Sequence, residues 1–187
     1  MENSPPAAQS YTTQDGKTVV IRPAVENDAV AIIAYAKHLF ENTDQLLTLP
    51  EEYTITEAQE RQWISSAQQH PAAIILVAET AGQIVGLLDF FARPKKKQAH
   101  SGEFGVSVHK DFRGMGIGRK MIEMLLQWAA EHRQVEKVLL QVFASNHKAI
   151  ALYRSLGFTE EAHLVKAIRQ PSGEYADLLQ MYIWCKS

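Results

Sequence analysis

The 187-residue sequence has one cysteine, no apolar run of bilayer-spanning length, no excess of either charge and no histidine–cysteine cluster. Each absence excludes something. A lone Cys185 cannot close an internal disulfide, so nothing calls for an oxidising compartment, and its apolar C-terminal surroundings read as simple packing. A spanning helix needs roughly 20 apolar residues, and no stretch approaches that. The opening MENSPPAAQS lacks the basic and apolar regions of a signal peptide. These features predict a soluble, cytoplasmic protein. None of the seven histidines falls in an HExxH pattern, so no metal is expected. With 19 basic and 21 acidic residues the net charge is -2 and the pI about 6.4. No global field therefore recruits nucleic acid or an anionic membrane. The only basic run, Lys95 to Lys97 after Pro94, reads as a solvated turn. There is no internal repeat and no low-complexity tract.

What is present is the balance of an ordinary globular chain, 46% hydrophobic and 21% charged. The length suits one domain, read as 17–187 behind a flexible N-terminal segment, 1–16. KTVVIRPA is a strand stopped by Pro23, and Asn27 or Asp28 can cap a helix running to about Phe40. After a long polar connection, Thr56 and Gln59 make a capping box for a second helix. AAIILVAET, QIVGLLDFF and GEFGVSVH then predict an antiparallel three-strand meander, turned at Ala81-Gly82 and at the proline–lysine segment. A helix with Met121, Ile122, Leu125, Leu126, Trp128 and Ala129 on one face follows, then a strand over 135–143. Asn146 opens another helix, Gly157 ends it, and strands near 158–168 and 175–185 close the chain. The order β-α-α-β-β-β-α-β-α-β-β predicts an α/β fold with a mixed, mostly antiparallel sheet flanked by helices. Its central feature has the parts of a right-handed crossover.

That crossover contains the unusual stretch DFRGMGIGRK, residues 111–120. A helix N-terminus attracts anions through its unpaired amides and dipole, and glycines let a bulky diphosphate approach them. Arg113 and Arg119 add positive charge at the same place. The Walker pattern GxxxxGK[ST] is absent. The dinucleotide fingerprint GxGxxG fails because position 119 is Arg. Nucleotide binding is disfavoured, and the stretch reads either as a pyrophosphate cradle or as a glycine-rich helix start without ligand.

VSVHKDFRGMGIGRKMIEMLLQWA resembles the acetyl-CoA-binding motif of the GNAT N-acetyltransferase superfamily, with its [QR]xxGx[GA] pattern met by Arg113, Gly116 and Gly118. VEKVLLQVFASNHKAIALYRSLGF resembles the family's next motif, and the element order resembles that fold across about 17–185. The resemblance implies an acetyl-CoA-dependent N-acetyltransferase without a metal. Its pantetheine arm would pair with the strand at Val106, Ser107 and Val108, and its pyrophosphate would meet the amides of Gly114, Gly116, Gly118 and Arg119. Asn146 matches a residue that often contacts the arm, and it also needs no reason beyond capping its helix. The strand before the loop is expected to splay from the one carrying Val138 to Val142, with the thioester in the gap.

The chemistry implied has three demands. An alkylamine with a pKa near that of lysine, about 10.4, must lose a proton before it attacks. The oxyanion of the tetrahedral intermediate needs a donor, here the Val106 N–H. The departing thiolate needs a proton, and Tyr153 matches the tyrosine that many members use as the general acid. Tyr153 also shares a stripe with Ile150 and Leu156 and reads equally as core. Glu103 is the candidate base, with an exposed strand carboxylate as the plain alternative. Asp89, inside the apolar run GLLDFF, is the second candidate, since an unpaired buried carboxylate is costly. His100 and His109 lie nearby without an orienting spacing.

The acceptor expected from the resemblance is a primary amine of a small molecule such as an amino acid or polyamine. Glu41, Asp44, Glu51, Glu52, Glu174 and Asp177 stand at the two rims where such members set specificity. They suit a cationic amine, or are simply solvated. Acetylation of a protein N-terminus or lysine is the nearest rival. A non-catalytic acyl-CoA-binding module is the rival from another class. Dimers are common in the family, so a homodimer is compatible with the resemblance.

Overall fold

Residues 73–80 are apolar at nearly every position because their strand is covered on both faces. The computed structural model describes residues 5–43 and 45–186. It has strands β1 (Gln9–Thr12), β2 (Thr18–Pro23), β3 (Ala73–Thr80), β4 (Gln83–Ala92), β5 (Ser101–Val108), β6 (Lys137–Phe143), β7 (Thr159–Arg169) and β8 (Tyr175–Trp184). The helices are α1 (Ala29–Glu41), α2 (Glu57–Gln69), α3 (Ile117–Glu131) and α4 (His147–Ser155). One sheet runs in the order β1-β2-β3-β4-β5-β6-β8-β7, and every pair is antiparallel except β5 with β6. Strand alternation sends Ile74, Leu76 and Ala78 to a core shared with α3 and α4, and Ile75 and Val77 to a core shared with α1 and α2. On α3, Met121, Ile122, Met124, Leu125 and Trp128 are buried, each stabilising by about 1.5–3 kcal/mol on area arguments. Leu126, expected on that face, is only half-buried.

The α/β architecture matches the expected order with one strand added in front. Gln9–Thr12, inside the segment expected to be flexible, pairs antiparallel with β2, Tyr11 opposite Val19. Its four residues carry a single inward apolar side chain, Tyr11, too short a pattern to show period two. The Thr56–Gln59 capping box forms as expected: the Thr56 hydroxyl accepts from the Gln59 amide at 3.3 Å and Gln59 Oε1 accepts from the Thr56 amide at 2.9 Å. Asp28 precedes α1, but its carboxylate accepts instead from both Arg22 guanidinium nitrogens (2.7 and 2.9 Å) and from the Val25 amide. The sharp turn after α4 is made by Gly157 at φ +92°, and the Phe158 amide then donates back to Tyr153 O at 3.1 Å.

Candidate active site

The site begins where two parallel strands part. β5 pairs with β6 only at Ser101–Glu103 opposite Lys137–Leu139, although both strands continue beyond. In an antiparallel ladder, residues bonded to the partner alternate with residues whose backbone groups turn away. His109 N–H donates to Val85 O and Arg93 N–H donates to Ser101 O, both at 2.9 Å, so odd-numbered residues of β5 face β4. Phe104, Val106 and Val108 therefore direct their N–H and C=O groups into the gap. Beyond the last bridge, Glu103 with Leu139, β5 has no further pairing with β6 among the described residues. The Val108 carbonyl accepts from Arg113 Nε at 3.1 Å, leaving Val106 with both backbone groups open.

Each face of this split carries a different set of side chains. Glu103, Gly105 and Ser107 face α1 and α2, and the Tyr35 hydroxyl on α1 donates to Ser107 Oγ at 2.9 Å. Asp89 stands opposite Gly105 on the same face of β4. Apart from its own backbone amide, its carboxyl has no hydrogen-bond or ion-pair partner among the described residues. Burial, with the Glu103 charge adding to it, pushes Asp89 up to about 6. Glu103 itself is exposed, opposite Phe91. On the other face Tyr153 is 8% exposed, its ring edge-on to Phe104 at 6.2 Å and to Phe158 at 6.0 Å. No described residue hydrogen-bonds its hydroxyl, and burial pushes the phenol up to about 12.

The glycine stretch begins α3 at Ile117, and its three glycines serve two ends. Gly114 and Gly116 have φ of +81° and +83°, the left-handed region that L side chains avoid. Gly118 has no such need, and a Cβ there would meet only Val108 Cγ2 at an ordinary 3.6 Å. Backbone geometry explains the first two; open space beside the amides is what the third leaves. Arg119 Nη2 donates to Ser155 Oγ at 2.6 Å, tying α3 to α4. Asn146 Oδ1 caps α4 by accepting from Ala149 N–H at 3.2 Å, which leaves its Nδ2 to donate elsewhere.

Several contacts around the loop have no signal in local sequence. His38 on α1 stacks on His109 at 4.4 Å and 9°, and Lys110 Nζ donates to Asn42 Oδ1 at 2.8 Å. The β1–β2 turn supplies Gln14 and Asp15 to a cavity of about 410 Å³ shared with Arg113–Gly116. Among the rim acids, Asp177 accepts from Lys166 N–H (2.7 Å) and lies 2.8 Å from His163 Nε2, which makes it a clamp for the irregular β7–β8 pairing. Glu52 accepts from the Leu49 amide at 2.8 Å. Glu174 lines a second cavity, about 420 Å³, between Gln45, Phe143, Ser145 and the turn 170–176. Asp44 lies outside the described residues. Among the described residues, no group of three His, Cys, Asp or Glu could hold a metal ion. No helix there is long and apolar enough to cross a membrane.

Comparison with known proteins agrees with the fold. Residues 24–158 match the sequence model described as Acetyltransferase (GNAT) family. The chain is similar to the L-amino acid N-acetyltransferase of Escherichia coli, 30% identical over 151 residues, 76% of this chain and 90% of that one. It is 27% identical over 144 residues to spermidine N(1)-acetyltransferase of Vibrio cholerae, 77% of this chain and 74% of that one. YncA of Salmonella typhimurium, a structure with its cofactor acetyl-CoA, aligns at a TM-score of 0.80 and 25% identity, covering 90% of this chain and 95% of that one.

Proposed function

The chain belongs to the GNAT family of acetyltransferases, and we propose that it moves an acetyl group from acetyl-CoA directly to a primary amine of a small molecule. The observation that carries this reading is the Asp89 carboxyl, open beside the unpaired backbone of Val106. Acetyl-CoA supplies an acyl carbon activated by a thiol leaving group. The residues that fit it are the unpaired edge at Val106 and Val108, the amides from Gly114 to Arg119 with Arg113 beside them, and the free Nδ2 of Asn146.

Asp89 takes a proton from the incoming ammonium, whose own pKa is about 10.4. A carboxylate of pKa near 6 is ionised at neutral pH yet more basic than a solvated aspartate, which suits a base. Glu103 supports it by repulsion, keeping Asp89 from becoming too acidic. The Val106 N–H donates to the acyl oxygen as negative charge develops there, in a gap where no described residue accepts from it. Tyr153 donates to the departing sulfur from the opposite face. A thiolate of pKa about 8.5 is a weaker base than a phenolate near 12. Tyr153 therefore holds the thiolate chiefly by a hydrogen bond, and the proton released by the amine balances the step.

A small acceptor is supported by the amino-acid and spermidine substrates named for the two relatives. The cavity at Glu174, closed on one side by the β7–β8 turn, supports it too. The test is thiol release from acetyl-CoA against a panel of amino acids, polyamines and peptides, with products confirmed by mass. Turnover confined to peptide N-termini or lysines would move the acceptor to proteins. CoA binding without any thiol release would leave a binding module.

A further inference from the structure

Glu60 is a carboxylate without a partner in a place where a carboxylate is costly. It lies on α2, 5% exposed, and no described residue gives it a hydrogen bond or an ion pair. Burial alone pushes its pKa up, with no basic side chain near enough to pull it back. The neighbouring Arg61 is engaged with Glu57 and Asn27 on the outer side of the helix. Tyr53 is close enough to feel the Glu60 charge, and its ring packs on Phe40 at 4.9 Å. Glu60 is therefore near one aromatic side chain, Tyr53, and an aromatic ring beside a carboxylate is chemistry that favours a cation.

Its position relates it to the reacting end. Trp63, one helical turn further along α2, packs on Phe91 at 6.4 Å. Phe91 is two residues from Asp89 on the same face of β4 and stands opposite Glu103. Glu60, Asp89 and Glu103 thus belong to one layer, between the sheet and the α1–α2 pair. Burying an unpaired carboxylate costs several kcal/mol unless it is neutralised or matched by a cation. No described residue supplies that cation.

We propose that Glu60 receives a second cationic group of the acceptor, so that the preferred substrate is a diamine or longer polyamine. Its reacting nitrogen would sit at Asp89 and its distal ammonium against Glu60, on the side of Tyr53. The proposal rests on the small-amine reading above and narrows it. A monoamine fills only the Asp89 end, and an α-amino acid brings a carboxylate that the acidic layer repels.

Equilibrium binding tests this apart from turnover. Straight-chain diamines from 1,3-diaminopropane to 1,8-diaminooctane, and the n-alkylamines of equal length, are titrated calorimetrically into CoA-saturated protein. Wild type should bind at least one diamine roughly 10- to 100-fold tighter than its matched monoamine. In Glu60→Gln and Glu60→Met that preference should disappear while monoamine affinity and CoA affinity stay as they were. Glu60→Met should also melt no lower than wild type, because it removes an unpaired buried acid. No diamine preference in the wild type, or a preference that survives in a folded Glu60 variant, overturns the proposal. Lower melting temperatures in both variants with diamine binding unchanged would make Glu60 structural. If the diamines bind through Glu60 but no amine is acetylated, the proposed reaction fails and the cation seat stands.

Discussion

A Cβ built on Gly105 would lie 3.2 Å from Oδ1 of Asp89, so the missing side chain on β5 is what leaves this carboxylate open to the gap. The two residues are directly opposed across the β4–β5 ladder. Gly105 needs no left-handed backbone, so its value lies in space rather than conformation.

Gly105→Ala should therefore fold and lose activity. The added methyl forces Asp89 to give by a few tenths of an ångström and covers one side of it. A fall in kcat of roughly 10- to 100-fold is expected, as small displacements of a catalytic group produce, with the KM for acetyl-CoA little changed. Wild-type kcat would mean that the amine reaches Asp89 from another side.

The Asp89 pKa of about 6 makes two linked forecasts. For activity, wild-type kcat/KM should rise through pH 6 as the carboxyl ionises. Asp89→Asn should lose roughly 10²- to 10⁴-fold near neutrality and recover toward pH 10, where free amine is abundant. Glu103→Gln removes the repulsion that lifts Asp89, so the acid limb should move to lower pH while activity persists. For stability, an unfolded aspartate titrates near 3.9, below the folded value. A raised folded pKa means a contribution present below pH 4 and lost as pH rises through 6. Charging Asp89 then costs the fold on the order of 1–3 kcal/mol by pH 7. Asp89→Asn should match wild type in Tm near pH 4 and exceed it at pH 7.

The sequence carried the parts of this site that are local. The glycine loop, the Asn146 cap, the Gly157 turn and the two-faced alternation of Phe104 to Val108 are all short-range patterns, and the structure has each of them. The parting of β5 from β6 was expected only from the family resemblance. Its register comes from pairing 36 positions apart, Ser101 with Lys137, which no local period encodes. The same is true of Asp89: the sequence marks it as a costly acid, but only the sheet shows that Glu103 and an open Gly105 are its neighbours. Asp177 looked like a substrate rim and is spent on Lys166 and His163, because a β-bulge leaves an amide to satisfy. The His38–His109 stack joins α1 to the loop across 71 residues, beyond any motif.

At the cradle, Gly118→Asp separates ligand approach from folding better than Gly116→Asp. Position 116 needs φ +83°, so any side chain there strains the loop. Position 118 lies in the first turn of α3, where an aspartate is favoured by the helix dipole. The apo protein should keep or slightly raise its melting temperature. The rise that CoA gives wild type should vanish, since a negative side chain now occupies the space beside the amides. A full CoA-dependent rise in Gly118→Asp would place the diphosphate elsewhere.

Tyr153→Phe isolates a hydroxyl that the fold does not use. The ring contacts with Phe104 and Phe158 remain, and no described group loses a hydrogen bond. Removing an unpaired buried hydroxyl costs little or stabilises, so the melting temperature should hold or rise. If the hydroxyl steadies the departing sulfur, kcat should fall roughly 10- to 1,000-fold while acetyl-CoA affinity is kept. The acceptor's basicity gives a second readout. With the donor gone, expulsion of the thiolate becomes the slower step and competes with return of the amine, so rates should depend more steeply on the basicity of the attacking amine. A competitor with a better leaving thiol, such as a more acidic acyl-thioester analogue, should recover more of the lost rate in Tyr153→Phe than in wild type. Equal loss with both thioesters would assign the phenol to positioning the acyl group. Wild-type turnover would leave Tyr153 as a core residue whose ring alone matters.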